Sequence, residues 1–394
     1  MFEKLEALPP DAILRLIVEH RNDPRERKVD LGVGVYRDEM GRTPILDTVK
    51  KAERRLLEAQ QTKAYLGSGG DPLFNKAIQT MMFGTAASES GRLVTLQTPG
   101  GSGSLRVAAA LLLRAKPKVT VWASDPTWAN HVPLLVGAGI KLEKYPYYEP
   151  ESKAIRFAEM IAALEALSPG DVVLLHGCCH NPTGVDLDRE QWREVAAVIA
   201  SRQLLPFVDI AYQGFADGLE EDAYPLRLLF EQSPEMIVSG SCSKNFGLYR
   251  DRVGCLSVVS EDAAGSATVQ SQAYNIVRTM YSMPPDHGGA VVTGILNDEV
   301  LRAEWLTELA AMRGRLKETR ALLCASLRDH APDRDFSHLE RAKGMFSFLG
   351  LSSNQVQQLK SDFGVYMVDS SRINVAGITR DNVDYLAASI AAVL

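Results

Sequence analysis

Between Leu93 and Val259 short apolar, β-rich runs alternate with helix-like stretches, and few folds accommodate that order. The runs are RLVTLQ, KVTVWAS, IKLEKYPY, DVVLLHG, LPFVDIA, EMIVSGS and GCLSVVS; between several of them lie SLRVAAALLLRA, NHVPLLVGAG and REQWREVAAVIASRQ. Strands that are apolar almost throughout are covered on both faces. The expectation is an α/β protein whose mainly parallel, seven-stranded sheet is sandwiched by helices. After residue 297 the pattern changes. Leu301, Trp305, Leu309, Met312, Leu316, Leu323 and Leu327 recur at helical spacing from Asp298 to about His330, so one stripe of a long helix is buried. A strand (GMFSFLG), a helix opened by Ser352 or Ser353, further strands (VYMV, RINVAG) and a closing helix (RDNVDYLAASIAAVL) follow. With 394 residues, at ~150 per domain, two or three domains are expected. The division read from the sequence is a large domain over 41–297, a smaller α+β domain over 298–394, and an N-terminal segment, 1–40, packing with the smaller one.

Composition excludes several classes. Net charge is -6, and the one charge-rich stretch, RNDPRERK, is mixed in sign, so a non-specific nucleic-acid binder is not expected. The start, MFEKLEALPPD, has no apolar signal core, and the longest apolar run, VAAALLL, is far short of the ~20 residues of a membrane span. A soluble, cytoplasmic protein with no membrane partner is the reading. Five cysteines without CxxC spacing argue against a disulfide framework or a zinc site; Cys178 and Cys179 read as small core residues.

In parallel α/β sheets, ligands bind beyond the carboxyl ends of the strands. After RLVTLQ comes TPGGSGSLR, where Gly100, Gly101, Ser102, Gly103 and Ser104 open a helix. Such a loop suits a phosphate at a helix N-terminus, although a plain tight turn would read the same. It is not a dinucleotide fingerprint, because Arg106 stands where a third glycine or alanine is needed, and no GxxxxGK[ST] loop exists. After DVVLLHG, Asn181-Pro182 turns the chain and presents an amide; of His176 and His180 nearby, His176 reads as a satisfied core histidine, His180 is open to the same reading, and no third ligand supports a metal. LPFVDIAYQGF puts Asp209 at the end of an apolar run with Tyr212 close behind. A buried carboxylate there needs a cation or proton donor: a structural ion pair, or the protonated nitrogen of a cofactor. Last comes SCSKNFGLYRDRVG, with Lys244 near Arg250 and Arg252. A desolvated lysine near fixed cations loses its proton readily and becomes a nucleophile toward carbonyls. The SxxK of penicillin-recognising enzymes also matches Ser241 and Lys244, but its SDN and KTG partners are missing. Pyridoxal 5'-phosphate wants all four features at once: a phosphate for the glycine loop, an aldehyde for Lys244, a ring nitrogen for Asp209, and a ring oxygen for Asn181 and Tyr212.

These motifs, with VDLGVGVYRDEMGRTP, TKAYLGSGGDP, SDPTWANHVPL, RTMYSMPPDHG and SRINVAG, resemble the class I, fold-type I aminotransferases of the aspartate/aromatic subgroup over nearly the whole chain. The resemblance implies pyridoxal phosphate as cofactor, bound to Lys244, which also shuttles the proton. It implies that Asp209 pairs the ring nitrogen with His131 behind it, that Asn181 and Tyr212 bond the ring oxygen, and that Trp128 stacks on the ring and reaches the substrate carboxylate. It further implies a phosphate site of Gly101, Ser102, Ser241, Ser243 and Arg252. In the family's homodimer, Tyr65 reaches the neighbour's phosphate and Arg278 the neighbour's substrate side-chain carboxylate. Arg372 would hold the substrate α-carboxylate in a bidentate fork, with the Gly34 N–H nearby. GGSGS stands here for the more usual GGTGA, which keeps a hydroxyl. The expected reaction is ping-pong transfer of an amino group from aromatic amino acids and aspartate to 2-oxoglutarate. Narrow aspartate specificity is the alternative; a pyridoxal-dependent lyase or a non-catalytic sensor is a more distant one. Met283 and Val33 are consistent with an apolar pocket or with plain packing.

Overall fold

The structure is a computed structural model and describes residues 1–7 and 11–394; part of the MFEKLEALPPD stretch therefore lies outside the described residues. The chain forms two compact units, residues 44–314 and residues 1–43 with 315–394.

The larger unit holds the seven-stranded sheet. Its strands are β1 (Leu93–Pro99), β2 (Thr120–Asp125), β3 (Lys141–Pro146), β4 (Val172–His176), β5 (Leu205–Ile210), β6 (Met236–Ser241) and β7 (Val253–Val259), in spatial order β1-β7-β6-β5-β4-β2-β3. All pairings are parallel except those of β7, which runs antiparallel to both β1 and β6. The central strands are buried along almost their whole length, as their continuous apolar runs require. Leu96, Val121, Leu174, Phe207, Ile237 and Leu256 share one core with Leu105, Ala108, Ala109 and Leu112 of helix α1 (Gly100–Ala115). Shorter α2 (His131–Val136) follows β2, and α3 (Arg189–Ser201) follows β4.

The starts of two helices differ in a way that matters for the site. Helix α3 opens on a capping box, with the Asp188 side chain accepting from Gln191 N and the Gln191 side chain accepting from Asp188 N. Helix α1 follows Pro99 and has no side-chain cap, so its first N–H groups remain available to a ligand. Helix α4 (Ala263–Met280) ends near the sequence expected to supply Arg278.

Helix α5 spans Glu299–His330, and every residue of the apolar stripe read from the sequence is buried. The two units divide inside this helix, between residues 314 and 315, rather than ahead of it at 297. In the smaller unit β8 (Phe346–Phe348) pairs antiparallel with β9 (Arg372–Asn374). Val29–Asp30 pairs parallel with Val365–Tyr366. Helix α6 (Ser353–Phe363) starts on a Ser352–Gln355 capping box and stops at Gly364, whose φ of 65° is left-handed. The RINVAG run is a strand only over its first part; Val375–Gly377 is a 3₁₀ turn, and α7 (Val383–Ala392) closes the chain. Among the described residues no helix is long and apolar enough to cross a membrane, and no group of His, Cys, Asp and Glu could hold a metal. All five cysteines are buried, and none is in a disulfide.

Candidate active site

The carboxyl ends of β5, β6 and β4 carry the reactive groups. Asp209 is the penultimate residue of β5 and is buried. A carboxylate only accepts, so His131 Nε2 donates to Asp209 Oδ2, at 3.0 Å. Thr127 Oγ1 then bridges His131 Nδ1 (2.8 Å) and His176 Nε2 (3.1 Å). Burial alone would raise the Asp209 pKa. The hydrogen bond from His131, the electrostatic pull of that ring and the ammonium of Lys244 outweigh it and hold the group below the ordinary carboxylate value. Asp209 is therefore a fixed anion at neutral pH. His176 is held neutral, because burial pushes its pKa down to about 3. The sequence reading treated it only as a core histidine; its register partner across β4 and β5 is Asp209 itself.

Two residues beyond Ile210, the ring of Tyr212 is buried with Lys244 Nζ 4.7 Å from its centroid. Lys244 follows β6 in a turn closed by the Gly247 N–H on the Lys244 carbonyl, at 3.0 Å. Burial lowers the Lys244 pKa to about 8; Asp209 opposes the shift and Arg252 adds to it. With that pKa roughly a tenth of this amine is neutral and nucleophilic at pH 7, far more than of an exposed lysine.

The anion cradle lies between the uncapped start of α1 and the end of β6. Ser243 N–H donates to Ser241 Oγ at 3.2 Å, and the two hydroxyls are 3.1 Å apart. Arg252 Nη1 donates to the Tyr249 carbonyl (3.1 Å) and, more weakly, toward Ser243 Oγ (3.5 Å). A Cβ on Gly100, whose φ is +68°, would stand 2.4 Å from Arg252 Nη2, so only glycine lets the guanidinium approach the helix start. A cation at the positive end of a helix, beside two hydroxyls, suits an anionic ligand. Gly101 backs onto Ser241, with Ser102 next along the first turn.

At the end of β4, Asp186 accepts the N–H groups of Cys179 and His180, both at 2.7 Å, and so shapes the loop that presents Asn181. Asn181 is buried, and its Oδ1 has no hydrogen-bond partner; a half-turn of the amide would offer its NH₂ at the same point. Half-buried Trp128 packs edge-on against His131, with centroids 5.2 Å apart. These features fit pyridoxal phosphate: an anion cradle, a weakly basic amine, a buried carboxylate and an unpartnered amide, each at a strand end.

Two expected residues lie outside this cluster within the protomer, and two others belong to the smaller unit. Tyr65 is 93% exposed. Arg278 is exposed at the end of α4, donating to Ser282 Oγ. In the smaller unit Arg372 donates to the Gly32 carbonyl at 2.8 Å and lies over the Phe346 ring at 4.4 Å. Gly34 abuts the same ring: a Cβ there would be 3.2 Å from Phe346 Cζ. Thr127 and Asp186 were missed by sequence reasoning, and Gly100 was read only as one member of the glycine loop.

A doubly covered α/β sheet with a reactive lysine, a strand-end acid and an anion cradle defines a transferase-type fold built around an aldehyde-bearing phosphate cofactor. Residues 26–390 match the family model "Aminotransferase class I and II". The aspartate aminotransferase of Haemophilus influenzae is 46% identical, covering 100% of both chains. The aromatic-amino-acid aminotransferase of Pseudomonas aeruginosa is also 46% identical, covering 100% of this chain and 98% of that one. The aromatic-amino-acid aminotransferase of Burkholderia pseudomallei, solved with pyridoxal phosphate covalently bound, superposes with a TM-score of 0.98 at 43% identity, over 100% of this chain and 99% of that one. The chain belongs to the class I and II aminotransferases, and it is an enzyme.

Proposed function

We propose that this chain is a pyridoxal-phosphate-dependent aminotransferase that moves the amino group of aromatic amino acids and of aspartate to 2-oxoglutarate. The observation that carries the reading is Lys244: an amine with a weakly held proton, seated on Tyr212 and facing the field of Asp209. When bound, the cofactor supplies an electrophilic aldehyde and a ring that draws electrons from the substrate Cα. Lys244 Nζ holds the cofactor, and once released as a neutral amine it takes the α-proton and returns it one carbon away. Asp209 accepts a hydrogen bond from the protonated ring nitrogen and keeps the proton there, while His131 and Thr127 fix the orientation of its carboxylate. Tyr212 O–H and the Asn181 amide donate to the ring oxygen. Gly101, Ser102, Ser241, Ser243 and Arg252 hold the phosphate, and Trp128 covers the ring. Arg372 binds the α-carboxylate as a fork, with the Gly34 N–H beside it. The first oxo acid leaves before the second binds, so kinetics are ping-pong.

The exposed positions of Tyr65 and Arg278 support a homodimer in which each residue serves the neighbouring site. The enzyme works in the cytoplasm. The equal similarity to an aspartate and an aromatic enzyme supports dual specificity; narrow aspartate specificity is the second reading. The deciding experiment is kcat/KM for aspartate, tyrosine, phenylalanine and tryptophan with 2-oxoglutarate. Oxaloacetate and glutamate from aspartate mean transamination; ammonia or carbon dioxide would mean a lyase.

Two outcomes follow from this reading. Arg278→Ala should lower kcat/KM for aspartate about 100-fold, the worth of one charge-assisted contact of ~3 kcal/mol, and that for phenylalanine less than about 5-fold. Equal losses would remove its role toward a side-chain carboxylate. Mixing Arg278→Ala and Lys244→Ala chains, with subunit exchange verified, should restore part of the aspartate activity. A mixture as inactive as its parts would rule out shared sites.

A further inference from the structure

Resting on the aminotransferase reading, we infer that Asn245 is a positioning residue, its side-chain amide tying the loop that carries Lys244 to the loop that carries Tyr212. Asn245 follows Lys244 directly, and Gln213 follows Tyr212 directly. Beyond the ends of β5 and β6 no strand ladder joins the two loops. Asn245 Nδ2 donates across the gap to the Gln213 carbonyl at 3.3 Å.

Each loop is anchored separately. On the lysine side, Trp305 Nε1 donates to the Asn245 carbonyl at 2.8 Å, and the fully buried Trp305 ring stacks on Phe246 with centroids 4.4 Å apart. On the tyrosine side, Gln213 Nε2 donates to the carbonyls of Met81 (3.2 Å) and Leu219 (3.0 Å). Asp222 accepts the N–H groups of Gly214 and Ala216 at 2.8 and 3.0 Å, and Arg313 Nη1 donates to the Gly214 carbonyl at 2.8 Å. The Asn245–Gln213 bond joins these two supports, and the 4.7 Å separation of Lys244 Nζ from the Tyr212 ring depends on both staying in register.

The amide is retained at a cost. Asn245 is 1% exposed, and its Oδ1 has no hydrogen-bond partner. A buried polar atom left unpaired is unfavourable, so an apolar side chain of similar volume would serve packing better. What leucine cannot do is donate to the Gln213 carbonyl. A ring face near an ammonium favours the charged form, so a shift of Tyr212 relative to Lys244 changes how readily the amine gives up its proton.

The test uses the holoenzyme and two substitutions. Asn245→Leu keeps volume without the donor; Asn245→Asp keeps shape but turns an acceptor toward the Gln213 carbonyl. In both, the pH midpoint of the bound cofactor's visible absorbance should move by at least about 0.5 unit, and kcat should fall about 10-fold with KM changed less than about 2-fold. A lower melting temperature with midpoint and kcat unchanged would mark a purely structural residue and overturn the inference. If neither variant folds, Trp305→Phe, which keeps the stack on Phe246 and removes the donor to the Asn245 carbonyl, is measured in the same way: a shifted midpoint supports the inference and an unchanged one overturns it. The functional reading fails separately, if the unsubstituted protein with pyridoxal phosphate has neither a pH-dependent visible band nor transamination.

Discussion

Replacing Lys244 with alanine should lower aspartate–2-oxoglutarate turnover by at least about 10⁴-fold, because one amine both holds the cofactor and moves the proton. Proton transfer alone accounts for about 10²–10⁴ of such losses. Lys244→Arg separates the amine from its charge. Arginine keeps a cation near Asp209 but cannot become neutral, so it should be as inactive as alanine. Recovery of turnover in the arginine variant would make Lys244 a fixed cation and would remove its assigned chemistry. The direction with pH follows from burial, which brings the lysine's pKa down to about 8. Below that value the amine is charged and unreactive; above it, neutral. The rate at which cofactor-free protein recaptures pyridoxal phosphate should therefore rise with pH and level off above about 8, whereas an ordinary lysine would keep gaining reactivity to beyond pH 10.

The sheet was legible because its strands are buried on both faces: runs such as DVVLLHG and LPFVDIA carry no alternation that could be mistaken for a surface strand. The reversed direction of β7 was not legible, since an apolar run reads the same either way. The boundary inside α5 was hidden for a related reason. The stripe from Leu301 through Leu309 and Met312 to Leu316 and Leu327 continues unbroken through residue 314, so periodicity marks one helix and not two units. Asp209 and Lys244 stood out because each puts a charge at the carboxyl end of an apolar run, where ligands bind in such sheets. The supports around them did not. His176 looked like a core histidine until register placed it beside Asp209. Thr127 bonds both His131 and the distant His176, and Asp186 accepts two N–H groups of the loop just before it; no recognised motif marks either residue. Tyr65 and Arg278 came from the family resemblance alone; within one protomer neither joins the cluster.

The second large effect concerns Asp209. Asp209→Asn should preserve the shape of the site, since an amide can still meet His131 Nε2, yet lower kcat/KM by about 10³-fold. The reason is charge. A unit anion ~4 Å from a developing cation is worth about 4 kcal/mol at the effective dielectric of a partly buried site, and an amide supplies almost none of it. Asp209→Glu keeps the charge but displaces it by one methylene, so it should recover part of the loss. If asparagine were harmless, the carboxylate would be a structural partner of His131 and the cation it is assigned to hold would not exist. The acid side of the pH profile supplies an independent check. His131 and the surrounding positive charge hold the Asp209 pKa below the ordinary carboxylate value. Its negative charge, and the stability it contributes with His131, are therefore fully present above the unfolded-state pKa and are lost only as pH falls through the depressed folded-state value. Activity that declines between pH 8 and 6 should then follow the lysine amine and persist with the same midpoint in Asp209→Glu. A midpoint that moves by more than about one unit with that substitution would assign the titration to the carboxylate instead.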